Sequence, residues 1–220
     1  MAMSSRWPLA DLRLRTPSLE LRWPNLDDLE ALADLAADGV HDPDVQPFTV
    51  AWTDVAPDQR ALSTLQFHWS RWGSWQPSAW GLELVVLRDG HVVGTQGIGA
   101  RDFAVLREVG TGSWIGRSYQ GQGIGTQMRA AVLHLAFAGL GAEYAVSAAF
   151  EDNAASLAVS RKLGYRDDGI DRHVVRGKPA VTRRLRLSRA DWQAAQTIPV
   201  EVVGLEPCLA LFGLPAEQTP

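Results

Sequence analysis

The start of the chain alternates apolar and polar residues on both sides of a Thr-Pro-Ser turn. The segment LRLRTPSLELRW, residues 12–23, has the period of two that is typical of a half-buried strand or of two short ones. Asn25 and Asp28 then provide the capping residues of a helix start. The apolar positions that follow recur at helical spacing and predict one buried stripe on this helix: Leu29, Leu32, Ala33 and Ala36.

A second helix is predicted from Pro57 to Gly73. Proline suits the first turn of a helix, and the apolar residues of this one recur at steps of three and four, at Leu62, Leu65, Trp69 and Trp72. Between the two helices, residues 40–52 contain two prolines and no clear periodicity. They predict a long loop, and long ordered loops are often functional.

The central part of the chain predicts a hairpin and then alternating strands and helices. Two β-rich runs meet at Asp89-Gly90 within residues 81–100, which is a strong hairpin signal. A strand over residues 108–115 follows. The later elements are helices near 125–138 and 153–162 and strands near 144–150, 165–174 and 180–187. This order predicts an α/β fold with a mixed sheet and helices on both faces.

The length and composition predict one globular domain. The chain has 220 residues, of which 46% are hydrophobic, so a sizeable core can form. We assign this domain to residues 1–197. Residues 198–220 contain four prolines and are predicted to be an appended strand and tail that take part in the contacts of a homodimer or a higher homo-oligomer.

The charge pattern and the cysteine content exclude several classes of function. The formal net charge is -4 and the basic residues are scattered, which argues against nucleic acid and anionic membranes as partners. No apolar run is long enough to span a bilayer or to act as a signal peptide. Cys208 is the only cysteine, so an internal disulfide and a thiolate cluster are excluded, and we expect a cytoplasmic protein without a metal.

Three glycines at alternate positions stand between the strand at 108–115 and the next helix. Gly121, Gly123 and Gly125 permit a tight turn, and a helix start offers unpaired N–H groups, so this loop is a candidate anion site. A nucleotide loop of the Walker type requires Lys-Ser/Thr where Thr126-Gln127 stand, and a dinucleotide fold requires the turn after its first strand. An ordinary strand-to-helix turn is the remaining alternative.

The glycine loop and a later segment resemble one family. Residues 120–125, QGQGIG, resemble the pyrophosphate loop of the GNAT (GCN-related) acyl-CoA N-acyltransferases, and residues 152–165, DNAASLAVSRKLGY, resemble a segment of their RimJ/RimL branch. The resemblance covers about residues 12–187. It implies a V-splayed, mostly antiparallel sheet of about seven strands, in which acyl-CoA enters between two parting strands.

The resemblance also implies which residues bind the cofactor. They are Trp114, Ile115, Gly116, Gln120, Gly121, Gln122, Gly123, Ile124, Gly125, Thr126, Asn153, Ser156 and Ser160. On the predicted helix at 153–162, Asn153, Ser156 and Ser160 share one stripe, and their polar groups need either a ligand or the helix backbone as a partner. Many family members use a tyrosine six residues after this asparagine to protonate the departing thiolate. Val159 stands there in this chain, and Ser156 is the natural substitute.

The candidates for the general base lie in the predicted strand and in the long loop. Glu108 opens the strand that ends at the glycine loop, and His41 lies with Asp42 in the long loop; an ordinary surface position is the alternative for each. Near pH 7, neutralising an α-amine costs about 1 kcal/mol and neutralising a lysine amine about 4 to 5 kcal/mol. An α-amine acceptor therefore needs little help from a base.

The resemblance implies an enzyme that transfers an acetyl group from acetyl-CoA to a primary amine, on a peptide N-terminus or on a small molecule. Some actinobacterial relatives that share the VHDP and PF loop look like succinyl-CoA users. Succinyl transfer is therefore an alternative, and it needs a cationic side chain such as His41 or Arg101 at the acyl end. An alternative of another class is a non-catalytic protein that binds acyl-CoA as a regulator.

Overall fold

The fold is built on one sheet of nine strands, which a computed structural model describes with its helices for residues 6–215. In chain order the strands are β1 (Arg13–Arg15), β2 (Glu20–Arg22), β3 (Ala79–Arg88), β4 (His91–Arg101), β5 (Glu108–Ile115), β6 (Tyr144–Phe150), β7 (Arg166–Val175), β8 (Lys178–Ser188) and β9 (Glu201–Val203). Across the sheet they follow the order β7-β8-β6-β5-β4-β3-β2-β1-β9. Only β5 and β6 are parallel neighbours. The predicted mixed, mostly antiparallel sheet is confirmed, with nine strands in place of about seven.

The two additional strands come from the two ends of the described chain. The predicted first strand is divided by a turn in which the N–H of Thr16 donates to the carbonyl of Leu19 at 2.9 Å, so it forms β1 and β2. The predicted tail strand is β9, which pairs with β1 at the edge of the same sheet. A 3-10 helix, Glu206–Phe212, then buries Cys208 and Phe212 completely in the core.

The C-terminal residues therefore belong to the main folded unit. The indole N–H of Trp75 donates to the carbonyl of Leu211 at 2.9 Å, and Phe212 packs edge-on against Trp80. Cys208 and Phe212 lie in the same core cluster as residues before 197, and the division at residue 197 stays a prediction. A role of this segment in self-association stays a prediction, and residues 216–220 of the predicted tail lie outside the described residues.

Helices cover both faces of the sheet, as predicted. They are α1 (Leu26–Asp38), α2 (Pro57–Gly73), α3 (Phe103–Leu106), α4 (Ile124–His134), α5 (Ala154–Lys162) and α6 (Arg189–Ala195). α1 and α2 pack together and against β3, whereas α4 packs against β4, β5 and β1. Adjacent residues of a strand point to opposite faces of the sheet. On β3, Leu84 packs in the same core cluster as Ile124 of α4, whereas the neighbouring Val85 is buried outside that cluster. No helix among residues 6–215 is both long enough and apolar enough to cross a bilayer.

The elements with strong local signals form as predicted. Asn25 accepts a hydrogen bond from the N–H of Asp28, and the Asp28 carboxylate accepts one from the N–H of Asn25, so the capping box of α1 is complete. Its predicted apolar stripe is buried. Asp89 and Gly90 both have positive φ, 50° and 78°, and join β3 to β4 in the predicted hairpin.

The helix α2 forms where it was predicted, but the apolar residues that recur along it do not mark its buried face. Leu62 and Trp69 are 51% and 46% exposed, whereas Thr64 and His68 are buried against the sheet. A helix turns its apolar side inward when it covers an apolar core. The inner side of α2 instead faces a cavity, so the recurring apolar residues do not identify its buried face.

The sheet opens between its two parallel strands. β5 pairs with β6 only over Glu108 to Gly110, opposite Tyr144 to Val146, although β5 continues beside β4 as far as Ile115. β6 likewise continues beside β8 as far as Phe150. Beyond Gly110 the two parallel strands share no ladder, which is the V-shaped opening that the sequence resemblance implied.

Candidate active site

A cavity of about 1130 Å³ lies where β5 and β6 part. Its floor is the face of β3, β4 and β5 that α2 covers, and its sides come from β6, β8 and residues 48–52. Four aromatic side chains line it: Phe48, Trp52, Phe67 and Trp114. A concave site of this volume, mainly apolar with a few polar groups, is typical of ligand sites.

Glycines that pair across neighbouring strands form the floor of the cavity. Gly81, Gly99 and Gly110 form one row across β3, β4 and β5, and Gly97 and Gly112 continue the row that begins at Glu83. A Cβ at Gly81 would overlap the guanidinium of Arg71, and a Cβ at Gly97 would overlap the carboxylate of Glu83. Glycine is therefore required here so that these two side chains can lie flat on the sheet.

Three ionisable side chains line the cavity above this floor: Glu83, Arg71 and His68. The Glu83 carboxylate lies 3.6 Å from Nε of Arg71, and burial raises the pKa of Glu83 to about 7. His68 is 1% exposed, and burial lowers its pKa to about 4, so it is neutral at pH 7. Among the described residues, Nδ1 of His68 has no hydrogen-bond partner. The sequence analysis did not select these residues, although a glutamate inside the apolar run GLELVV was a signal for them.

The segment between α1 and α2, residues 39–56, contains the loop predicted over residues 40–52, and its residues 48–52 form the side of the cavity that we call the roof. Nε2 of His41 lies 2.7 Å from the hydroxyl of Thr53, and the Trp52 ring packs against Trp114 on β5. Arg176, between β7 and β8, donates two hydrogen bonds to the Asp54 carboxylate, at 2.6 and 2.9 Å, and this pairing lowers the pKa of Asp54. His41 holds the roof together but does not line the cavity, so its predicted catalytic role gains no support from its position.

The glycine loop lies at the end of β5 and begins α4. Gly121 and Gly123 have φ of 74° and 79°, a left-handed conformation that favours glycine, and α4 starts at Ile124 without a side-chain cap. Gly125 is helical, and a Cβ there would make only ordinary contact with Val159, at 3.6 Å. The open helix start therefore presents backbone N–H groups beside the gap in the sheet, an arrangement suited to an anion.

The predicted glutamines of this loop shape it with their side chains. Gln120 donates to the carbonyls of Val40 and Ile115, at 2.6 and 3.1 Å. Gln122 accepts a hydrogen bond of 2.6 Å from Arg88, which brings a positive charge beside the helix start. Sequence reasoning did not identify Arg88, because it lies on β3 and approaches the loop only in the folded chain.

A family model described as an acetyltransferase (GNAT) domain matches residues 18–166 of this chain. The chain belongs to the GNAT acetyltransferase family. The GNAT resemblance inferred from the glycine loop is thereby confirmed.

Solved structures of GNAT proteins show the same fold. RimJ of Mycobacterium smegmatis in complex with CoA-disulfide is 22% identical, with a TM-score of 0.67, and the match covers 86% of this chain and 96% of RimJ. RimL, a ribosomal L7/L12 alpha-N-protein acetyltransferase in complex with coenzyme A, is 18% identical, with a TM-score of 0.63 and coverage of 79% and 95%. A GCN5-related N-acetyltransferase from Brucella melitensis is 19% identical, with a TM-score of 0.64 and coverage of 83% and 81%.

The polar stripe of α5 in this GNAT chain is satisfied mainly by the protein itself. Asn153 caps α5, accepting from the N–H of Ser156 at 3.1 Å. The Ser160 hydroxyl donates to the carbonyl of Ser156 at 3.1 Å and accepts from Nη1 of Arg129 at 2.8 Å. Arg129 is buried on α4, which lowers its pKa. Ser156 is half-buried, and its hydroxyl has no hydrogen-bond partner among residues 6–215, so it is the member of the stripe that is free for a ligand.

Replacing Ser160 by alanine is expected to destabilise the fold by about 2 kcal/mol, because the buried charge of Arg129 loses a hydrogen bond that water cannot replace. Urea unfolding at pH 7 measures the loss. Ser156→Ala is the matched control on the same helix face and should change the free energy of unfolding by less than about 0.5 kcal/mol. Equal stability of the two variants would show that Arg129 finds another partner.

The predicted base Glu108 lies at the closed end of the opening. Its carboxylate pairs with Nη1 of Arg186 at 2.5 Å, where β5 and β6 still share a ladder. Trp114 is six residues further along β5, about 20 Å away at the rise of a strand. Glu108 stays a prediction, and its ion pair and its position do not favour it. Within residues 6–215, no three His, Cys, Asp or Glu side chains are grouped as a metal ion would require.

Proposed function

We propose that this GNAT protein transfers an acetyl group from acetyl-CoA directly to a primary amine, on a peptide N-terminus or a small molecule, with both substrates bound together. The gap between β5 and β6 supports this most strongly, because it places the glycine loop and a large cavity beside the same strand. A cofactor that passes through the gap brings its thioester to the cavity, where an amine can approach. The RimJ and RimL structures contain coenzyme A.

The residues at the gap fit the chemistry of coenzyme A. The uncapped start of α4, with Gly121 and Gly123 in left-handed conformations, would hold the pyrophosphate through backbone N–H groups, and Arg88 adds positive charge nearby. Gly125 packs its Cα side toward Ile115 and Val159, next to the strand that borders the gap. Ser156 would face the sulfur end of the pantetheine arm with its unpartnered hydroxyl. Asn153 and Ser160 shape this wall, since their side chains bond within the protein.

The backbone of β5 offers a donor for the thioester carbonyl. The N–H of Gly116 donates to the carbonyl of Val93 on β4 at 3.0 Å. Hydrogen-bonding direction alternates along an antiparallel strand, so the N–H of Ile115 points away from β4, toward the gap. Of the two predicted donors, Trp114 and Ile115, this favours Ile115 for stabilising the oxygen as negative charge develops on it.

The proposal is tested first by binding and then by turnover. Isothermal titration with acetyl-CoA should show one site per chain, and absence of binding would overturn the proposal. Release of the CoA thiol is then followed with peptides that carry a free α-amine and with small primary amines. Ser156→Ala should lower turnover at least about tenfold if its hydroxyl protonates the thiolate, since positioned acids contribute such factors. Unchanged turnover with rate-limiting chemistry would remove Ser156 from this role.

Succinyl-CoA is the second candidate donor, because three arginines line the cavity, Arg71, Arg184 and Arg186, and a succinyl carboxylate would compete with the carboxylates that now pair with them. His41 and Arg101, which the sequence suggested for a succinyl carboxylate, do not line it. Mass spectrometry of the cofactor that co-purifies with the protein distinguishes acetyl from succinyl. Binding of acyl-CoA without thiol release toward any amine would favour the regulatory alternative.

A further inference from the structure

An acidic residue on the floor of the cavity interrupts an apolar strand. Leu82 and Leu84 of β3 are fully buried in the core, and Glu83 between them points to the opposite face, into the cavity. Its side chain is 13% exposed. A carboxylate in such a place has lost most of its hydration, which costs free energy. We therefore expect it to have either a function or a close partner.

The carboxylate reaches toward the opening of the sheet. It lies above Gly97 of β4, in the row that continues to Gly112 on β5. Neighbouring strands are about 4.8 Å apart, so one strand spacing separates the carboxylate from β5. Gly112 follows the point where β5 and β6 separate and precedes Trp114 by two residues. The two glycines leave room for an amine between the carboxylate and a thioester held in the gap.

The surroundings leave the carboxylate free to exchange a proton. Its one charged neighbour is Arg71, whose Nε lies 3.6 Å away, and no described residue donates it a hydrogen bond. His68 from the same helix is neutral at pH 7, since burial lowers its pKa. Burial raises the pKa of Glu83 to about 7 against the effect of Arg71, so protonated and ionised forms coexist near neutral pH.

The other charged groups of the cavity wall are already paired. Arg184 bonds Asp171 at 2.9 Å, and Arg186 bonds Asp168 at 3.2 Å and Glu108 at 2.5 Å. These pairs join β7, β8 and β5 and neutralise one another. Glu83 is therefore the carboxylate of the cavity with the weakest pairing, and this distinguishes it from Glu108.

We propose that Glu83 is the general base that accepts the proton of the acceptor amine, and that Arg71 is a positioning residue that holds its carboxylate on the glycine floor. The inference rests on the acyl transfer proposed above. The ammonium gives one proton to Glu83, and the neutral nitrogen forms a bond to the thioester carbon. The C–S bond then breaks, Ser156 donates its hydroxyl proton to the departing thiolate and takes the second proton of the nitrogen, and Glu83 returns its proton to water. The products are the amide, the CoA thiol and one proton.

The test compares two acceptors that differ in their need for a base. Acetyl-CoA is the donor, and the acceptors are a series of alkylamines and α-amino peptides on one side and hydroxylamine, which is largely neutral at pH 7, on the other. Glu83→Gln should lower kcat/KM toward the protonated amines about a hundredfold, the usual contribution of a general base, and should change the reaction with hydroxylamine less than about threefold. In the wild type, kcat/KM for the amines should fall as the pH decreases through about 7, and this acidic limb should be absent in Glu83→Gln. The dissociation constant of acetyl-CoA should stay unchanged.

Controls separate this role from a structural one. Glu143→Gln removes an exposed carboxylate at the start of β6, away from the cavity, and should behave like the wild type. Glu83→Asp should retain the acidic limb at a lower rate, because it keeps a carboxylate. The proposal would be overturned if Glu83→Gln lowered kcat/KM equally with hydroxylamine and with alkylamines. It would also be overturned if the acidic limb of the pH profile disappeared in Glu108→Gln and remained in Glu83→Gln.

The remaining outcomes distinguish this inference from the proposed function. Binding of acetyl-CoA with amine transfer that is insensitive to Glu83→Gln overturns the base and leaves the acyltransferase in place. Failure of the wild type to bind acetyl-CoA overturns the acyltransferase itself. Binding without reaction toward any of the amines, hydroxylamine included, overturns both the transfer reaction and its base.

Discussion

Exchange of Gly123 for valine is expected to weaken the binding of coenzyme A roughly a hundredfold, a loss of about 3 kcal/mol. Gly123 has a φ of 79°, which a β-branched residue adopts only with strain of about 1–3 kcal/mol. The loop relieves this strain by changing its path, and the N–H groups at the start of α4 then no longer converge on a pyrophosphate. Isothermal titration with coenzyme A measures the change.

Gly177 provides the matched control for this variant. Its φ of 75° and the free space around its Cβ position are like those of Gly123, but it lies in the turn between β7 and β8. Gly177→Val should therefore destabilise the fold by a similar amount and leave the affinity for coenzyme A unchanged. Equal affinities in the two variants would mean that the glycine loop is only a strand-to-helix turn.

The stability of the protein should depend on pH through Glu83. Burial raises the pKa of this carboxyl from 4.5 to about 7, so the folded state holds a proton that the unfolded chain releases. The favourable contribution is complete below pH 4.5 and is lost as the pH rises through 7. At 1.36 kcal/mol for each unit, the loss amounts to about 3 kcal/mol. The wild type should therefore lose about 3 kcal/mol between pH 4 and pH 8 relative to Glu83→Gln, which cannot ionise.

Urea unfolding of both proteins at pH 4, 6 and 8 measures this difference. His68 acts in the opposite direction, since its pKa falls to about 4 and its contribution is lost as the pH decreases from 6.5. It is present in both proteins and cancels in the comparison. Glu143→Gln serves as the control with an exposed carboxylate. Parallel stability curves for the wild type and Glu83→Gln would show that water reaches the Glu83 carboxyl.

The elements that the sequence predicted well are those with local chemical signals. The capping pair Asn25 and Asp28, the Asp89-Gly90 turn and the glycine loop each specify a backbone conformation within a few residues. The rest of the topology, including the separation of two parallel strands, was predicted from the resemblance to the GNAT family. Such features depend on neighbours in the chain or on a motif, so they can be predicted without knowledge of the packing.

Apart from the glutamate inside the apolar run GLELVV, the acceptor side of the site was beyond prediction, because its chemistry arises only in the folded chain. His68 and Arg71 lie on the side of α2 that faces the cavity, whereas Leu62 and Trp69, which recur at helical spacing, are exposed. A hydrophobic stripe identifies the buried face only where that face covers an apolar core. Glu83 becomes a candidate base only when glycines from two further strands lie beside it, and no spacing within one segment shows this.

The pairing of β1 with β9 determines when the sheet can be completed during synthesis. Arg15 on β1 contacts Glu201 on β9, residues that are 186 positions apart in the chain. At about 5–20 residues per second, the ribosome needs roughly 10–40 s to add the segment between them. For this time the outer edge of β1 presents unpaired backbone groups, and such an edge is a site of aggregation. A nascent chain stalled before residue 201 would therefore bind other chains more readily than one that has reached residue 203 and emerged from the ribosome.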